Sequence, residues 1–135
     1  MSGIIVIEEV PISSSIAVIS QKFIGQLTRG QGVLAWNEGV TALPPKTNLL
    51  ADFSETHGGD IFGTDAIVQT AKKISKEGGL LKILVPNHSF RTILSAVLPD
   101  VELHYRRDTA LASDWSQRAA GGIVVREKPE SCPGG

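Results

Sequence analysis

The order of apolar runs in this chain predicts an α/β fold: a mixed central sheet of four to five strands, opened by an amino-terminal hairpin and carrying three to four helices. Three observations predict it. Strand-length runs of aliphatic and β-branched residues recur at 4–7, 16–19, 48–53 and 80–85. Stretches with helical apolar spacing lie between the later runs, and Gly, Pro or Ser clusters punctuate the joins. Strand, helix, strand, helix, strand after a hairpin implies right-handed crossovers, with the parallel strands in the middle of the sheet.

Ile4, Ile5, Val6 and Ile7 suit a pleated surface because branching at Cβ is well tolerated there. Ser13, Ser14 and Ser15 read as the turn, and Ile16 to Ile19 as the hairpin partner. In the stretch 26–43, Val33, Leu34, Trp36, Val40 and Leu43 have roughly helical spacing despite three interrupting glycines, so a helix is expected. Pro44 and Pro45 close it, and the run 48–53 follows as the central strand. Ile67, Val68, Ala71 and Ile74 share one face of a helix expected over 64–77, with Lys72, Lys73 and Lys76 opposite and Gly78-Gly79 as the stop.

The run 80–85 is the next strand, ended by Pro86. Ser89 stands as the cap before Phe90, Ile93, Leu94, Val97 and Leu98, one apolar stripe on a third helix. Residues 101–105 alternate as an edge strand does, and a short helix is expected over 109–117. The expected division is a domain at 1–118 and a flexible tail at 119–135, where Gly and Pro recur. Trp36 and Trp115 are expected in the core.

With 135 residues the chain has the length of one domain, and its 41% hydrophobic and 20% charged content is that of a globular protein. Thirteen basic and fourteen acidic residues leave a net charge of −1, with no Lys/Arg run longer than a pair, which argues against a nucleic-acid surface. Cys132 is the sole cysteine, so neither an intrachain disulfide nor a cysteine metal cage can form. Glu8, Glu9 and Pro11 break the first apolar stretch, which disfavours a signal peptide or a membrane span. A cytoplasmic protein is the expectation.

The segment 49–79, LLADFSETHGGDIFGTDAIVQTAKKISKEGG, resembles the STAS domain of bacterial anti-sigma factor antagonists. The family pattern is an apolar strand ending in an acidic or Asn residue and Ser, a short loop, Asp-Ser-Ser-Gly, an amphipathic helix and a Gly-Gly stop. Laid against it without a gap, Asp52 and Ser54 fall at the strand end, Asp60 on the motif aspartate, Gly63 on its glycine and Gly78-Gly79 on the stop. The likeness in element order extends over 4–112. It implies a non-catalytic domain, without cofactor, that binds a protein: a kinase of the anti-sigma type, another STAS-like protein, or a second copy of itself.

Family members are switched by phosphorylation of the first motif serine. Here Ile61 and Phe62 occupy the two serine positions, so neither accepts phosphate. The expected partner surface comprises His57, Asp60, Ile61, Phe62, Thr64 and Asp65. Thr64 reads as the helix N-cap, with a displaced phosphoacceptor as the other reading; Asp60 reads as a further cap or an acidic contact. A second hypothesis places a nucleotide or metabolite at the strand ends near His57, Asp60 and His88. The loop 56–59 has no P-loop spacing and is flanked by carboxylates, which disfavours an anion. The three histidines lack metal-ligand spacing, and Ser54 with His57 lacks a nucleophile elbow.

Overall fold

The computed structural model describes residues 3–116. The segment 119–135, expected as a tail, lies outside them. Strands β1 (Ile4–Pro11) and β2 (Ala17–Leu27) form an antiparallel hairpin in unbroken register, from Ile4 opposite Ile24 to Pro11 opposite Ala17. Its turn is closed by the Ile12 and Ser13 N–H groups, both donating to the Ile16 carbonyl. Helix α1 (Gln31–Thr41) leads to β3 (Asn48–Gly59), α2 (Ile61–Lys76) to β4 (Leu80–Leu84), and α3 (His88–Val97) to β5 (Glu102–His104). Each of these strands runs parallel to the one before it, and a six-residue α4 (Arg107–Ala112) follows. The sheet order is β1-β2-β3-β4-β5, which puts β3 in the centre as its apolar run predicts.

Alternation along the strands sorts side chains to two faces. Leu49, Ala51 and Phe53 of β3, Leu81 and Ile83 of β4 and Leu103 of β5 join the core under α1, α2 and α3. Trp36 is its hub: the indole is fully buried, donates from Nε1 to Thr70 Oγ1 at 2.9 Å, and meets the Phe53 ring at 4.9 Å and the Phe23 ring at 6.5 Å. On the opposite face Val18, Leu50, Leu84, Ala110 and Trp115 form a smaller cluster. Both tryptophans are core residues, as expected.

Several boundaries differ from the sequence expectation, and four of them have a tertiary reason. β2 continues to Leu27, through the start of the helix expected at 26, because its polar residues have distant partners. Gln21, fully buried, donates from Nε2 to the Trp36 carbonyl, and the Ser20 hydroxyl accepts from Arg107. The stretch 56–59, read as a loop, is ladder: Gly25 pairs with Thr56, Gln26 with Gly58 and Leu27 with Gly59. The cap of α3 is Asn87, whose Oδ1 accepts from the Phe90 N–H at 2.9 Å, rather than Ser89. The last helix begins at Arg107 and ends at Ala112, earlier than expected, because Trp115 folds back so that its Nε1 donates to the Ala110 carbonyl at 3.0 Å. Gly78, at φ 79°, ends α2 as the Gly-Gly stop predicts.

Candidate functional site

The carboxyl end of the central strand turns directly into α2, and this junction is the candidate site. Helix α2 starts at Ile61, three residues before the expected start, and its N-cap is Asp60 rather than Thr64. The Asp60 Oδ1 accepts from the Gly63 N–H at 2.8 Å, and Oδ2 accepts from the Arg29 N–H at 2.9 Å. Thr64 lies one turn inside, its own N–H bonded to the Asp60 carbonyl at 3.0 Å. Asp60 wins because it stands where the backbone is still extended, and its side chain reaches an otherwise unbonded first-turn N–H. The same carboxylate ties the tip to the end of the β2–α1 connection.

That anchoring holds two large apolar side chains out in solvent. Ile61 is 77% exposed and Phe62 46% exposed, at the first two positions of the helix. The Arg29 guanidinium sits over the Phe62 ring, 5.2 Å from its centroid. His57 and Asp65 are exposed beside the tip, and Thr64 is half-buried. In the sequence Arg29 carries no signal of this role, because it falls inside the helix expected over 26–43 and no pattern links it to a residue thirty positions away. The turn is narrow for a steric reason. A Cβ on Gly63 would lie 2.0 Å from the Leu27 carbonyl oxygen, so only glycine lets α2 start this close to the end of β2.

The Arg29 and Gly63 N–H groups hold the Asp60 carboxyl below its ordinary range. A depressed carboxyl stabilises the fold above its unfolded pKa, and the contribution disappears as pH falls through the lower folded value. Asp60→Ala is therefore expected to lower the melting temperature at neutral pH and to flatten its acid-side dependence, while Asp60→Asn retains most of the cap. Thermal melts from neutral to acid pH check both.

A cleft of about 270 Å³ lies beside the tip, lined by Thr56, Gly58, Gly59, Asn87, Ser89, Phe90 and Ile93. Of the residues proposed for a small ligand, His57, Asp60 and His88 are absent from this lining. Two of its polar side chains are already engaged: the Thr56 hydroxyl donates to the Phe23 carbonyl at 3.0 Å and the Asn87 Oδ1 caps α3. The volume is also below the roughly 300–1,000 Å³ typical of ligand pockets. Among the described residues no group of three or more His, Cys, Asp or Glu is arranged to hold a metal ion.

Asp52 and Ser54, matched to the strand end, face away from the tip. Asp52 is 1% exposed; its Oδ1 accepts from the Ser54 N–H and hydroxyl at 2.9 and 2.6 Å, and Oδ2 lies 3.6 Å from Arg107. Arg107 also pairs with Glu8 at 2.8 Å, so this cluster fastens β1, β3 and α4 together. A second cluster surrounds Lys82, whose ammonium bonds Glu102, Ser113 and the Asp114 carbonyl and lies 4.8 Å from the centre of the Trp115 ring. Both clusters lie on the face opposite α1, α2 and α3.

A strictly sequential sheet with a leading hairpin and an α2 launched from its central strand is a STAS-like fold. Two solved structures share it. That of the anti-sigma factor antagonist SpoIIAA, in its unphosphorylated form, superposes with a TM-score of 0.61 at 12% identity, covering 81% of this chain and 94% of SpoIIAA. An uncharacterised DUF3478-family protein with a SpoIIAA-like fold, from Shewanella loihica PV-4, superposes with a TM-score of 0.51 at 18% identity, covering 82% and 92%. At these identities the likeness is one of fold. No family model and no curated protein sequence matches the chain. No helix among the described residues is long and apolar enough to cross a membrane.

Proposed function

We propose that this chain is a non-catalytic protein-interaction domain of the anti-sigma factor antagonist type, acting in the cytoplasm, which docks a protein partner through the tip of α2. The observation that carries this reading is the exposure of Ile61 and Phe62 at a rigidly capped helix start. An isoleucine and a phenylalanine left in water gain free energy when a partner covers them, and a fixed backbone loses little entropy on doing so. The partner of this reading is an anti-sigma-type kinase or another STAS-like protein. It meets His57, Asp60, Ile61, Phe62, Thr64 and Asp65, with Arg29 as a flanking cation.

The tip positions that carry serine in the resembling family are apolar here, so docking at this site is constitutive rather than relieved by phosphate. Affinity capture followed by titration tests the reading. Ile61→Asp and Phe62→Asp are each expected to weaken the captured complex by about 2 kcal/mol, roughly thirtyfold, without lowering the melting temperature. Binding that both variants leave intact would overturn it. The second reading, a small metabolite or nucleotide at the strand ends near His57, Asp60 and His88, has only the small cleft beside them in its support. A ligand at a hundredfold excess over its Kd would stabilise the fold by about 2.7 kcal/mol in a thermal-shift screen.

A further inference from the structure

The two edges of the sheet are treated very differently. β5 exposes only three residues, two of them buried, and short edge strands resist pairing with other chains. β1 is an eight-residue edge in unbroken register with β2; it has no basic residue, no bulge, and no proline before Pro11. Among the described residues no strand pairs its outer side, and Ile4 is 50%, Val6 45% and Ile7 52% exposed. The devices that blunt an edge, here the charges of Glu8 and Glu9 and the terminal Pro11, are confined to its second half and leave the run Ile4 to Ile7 unprotected.

We propose that β1 is a self-association surface, on which the β1 of a second copy of this chain adds antiparallel to extend the sheet across a two-fold axis. Three physical arguments select a second copy and a register. A two-fold axis perpendicular to the sheet keeps the helix layers of both copies on one side, so residues of equal parity must face each other. Centring the axis on Val6 sets Val6 against Val6, Ile5 against Ile7, Ile4 against Glu8 and Gly3 against Glu9, which covers every exposed apolar side chain of the strand.

Charge decides against the neighbouring registers. With Val6 on the axis, the two Glu8 positions lie four residues apart along the seam, roughly 14 Å, beyond the screening length of about 8 Å at physiological salt. Moving the axis to Ile7 brings them to roughly 7 Å, inside that length, and moving it to Glu8 puts like charges face to face. Moving it to Ile5 leaves fewer residues paired. Glu8 is moreover neutralised within its own copy by Arg107 at 2.8 Å, and the chain's net charge of −1 gives little repulsion between copies. A seam one strand wide and roughly 20 Å long is at the small end of specific interfaces, so association is concentration-dependent. The rotation also reverses strand direction, so the two α2 tips point out of opposite ends of the joined sheet.

Sedimentation equilibrium of the full chain, from low micromolar to near millimolar, tests this. The expected result is a monomer–dimer equilibrium that Val6→Lys weakens by about tenfold or more, with an unchanged melting temperature because Val6 is half exposed. Mixing Val6→Lys with Val6→Glu restores the dimer, since the substituted residues then meet across the axis with opposite charge. A full chain that stays monomeric at all concentrations overturns the proposal, whether hydrogen exchange finds the β1 amides open or covered by residues 117–135 of the same chain. A dimer that Val6→Lys leaves intact overturns it equally.

Discussion

Gly63→Ala is expected to destabilise the domain by about 3 kcal/mol, a fall in melting temperature of roughly 15 °C. The added methyl would sit 2.0 Å from the Leu27 carbonyl oxygen and 3.0 Å from its carbon. Both are backbone atoms of β2 and cannot rotate away as a side-chain end could, so the first turn of α2 must lift. Lifting it breaks the Asp60 bonds to Gly63 and Arg29 and moves Ile61 and Phe62. The same substitution at Gly58, three positions before the helix and in open space, is the control and is expected to change stability little. Chemical denaturation of the two variants settles the matter: equal midpoints would show that the turn tolerates a side chain. Partner binding by the Gly63 variant is expected to fall with stability, whereas the tip substitutions lower binding alone.

Lys82→Ala is expected to cost about 3 kcal/mol, the second large effect. The side chain is 2% exposed; its ammonium satisfies Glu102, Ser113 and the Asp114 carbonyl and lies over the Trp115 ring. Lys82→Met keeps the stem, and its loss is expected to be well below that of alanine. Burial drives the Lys82 pKa down, and the opposing attraction of Glu102 does not make up the difference. The folded state thus holds this proton less tightly than the unfolded one, so stability rises with pH between the folded pKa and the ordinary value of 10.5. For Glu102, burial pushes upward but is outweighed by the His104 and Lys82 hydrogen bonds and charges, and its carboxyl stays low. Its contribution holds above the unfolded carboxyl pKa and is lost as pH falls through the folded one. Urea midpoints across pH check both limbs, and the alkaline rise should vanish in Lys82→Met.

Sequence reading reached the centre of the fold and failed toward its margins, for reasons visible in particular residues. The run from Leu49 to Phe53 is apolar because both faces of β3 are covered, so its burial shows directly in composition. The helix after it has a one-sided stripe and a glycine stop, both local signals. By contrast, Ser20, Gln21 and Lys22 look like a polar connection. They belong to β2 because Arg107, Trp36 and Glu55 satisfy them from 87, 15 and 33 residues away. Gly58 and Gly59 look like a loop, yet they pair with β2 where the ladder is irregular. The tip was legible as a pair of apolar residues in the place of a hydroxyl motif. What holds it was less so: the choice of Asp60 over Thr64 depends on where the strand ends, and Arg29 arrives from another connection altogether.

The unbroken order of the sheet carries a consequence for how the molecule can meet other molecules. In open α/β sheets a ligand crevice forms where successive connections wind off in opposite directions, parting the loops at the strand ends. Here β2, β3, β4 and β5 follow one another in a single direction, and residues of α1, α2 and α3 share one core on one face. The winding never reverses among the described residues, so no switch point arises between its central strands, and the cleft beside the tip is small. What stands at the carboxyl end of the central strand is an apolar prominence, Ile61 and Phe62, and it is this convex feature that the docking proposed above uses.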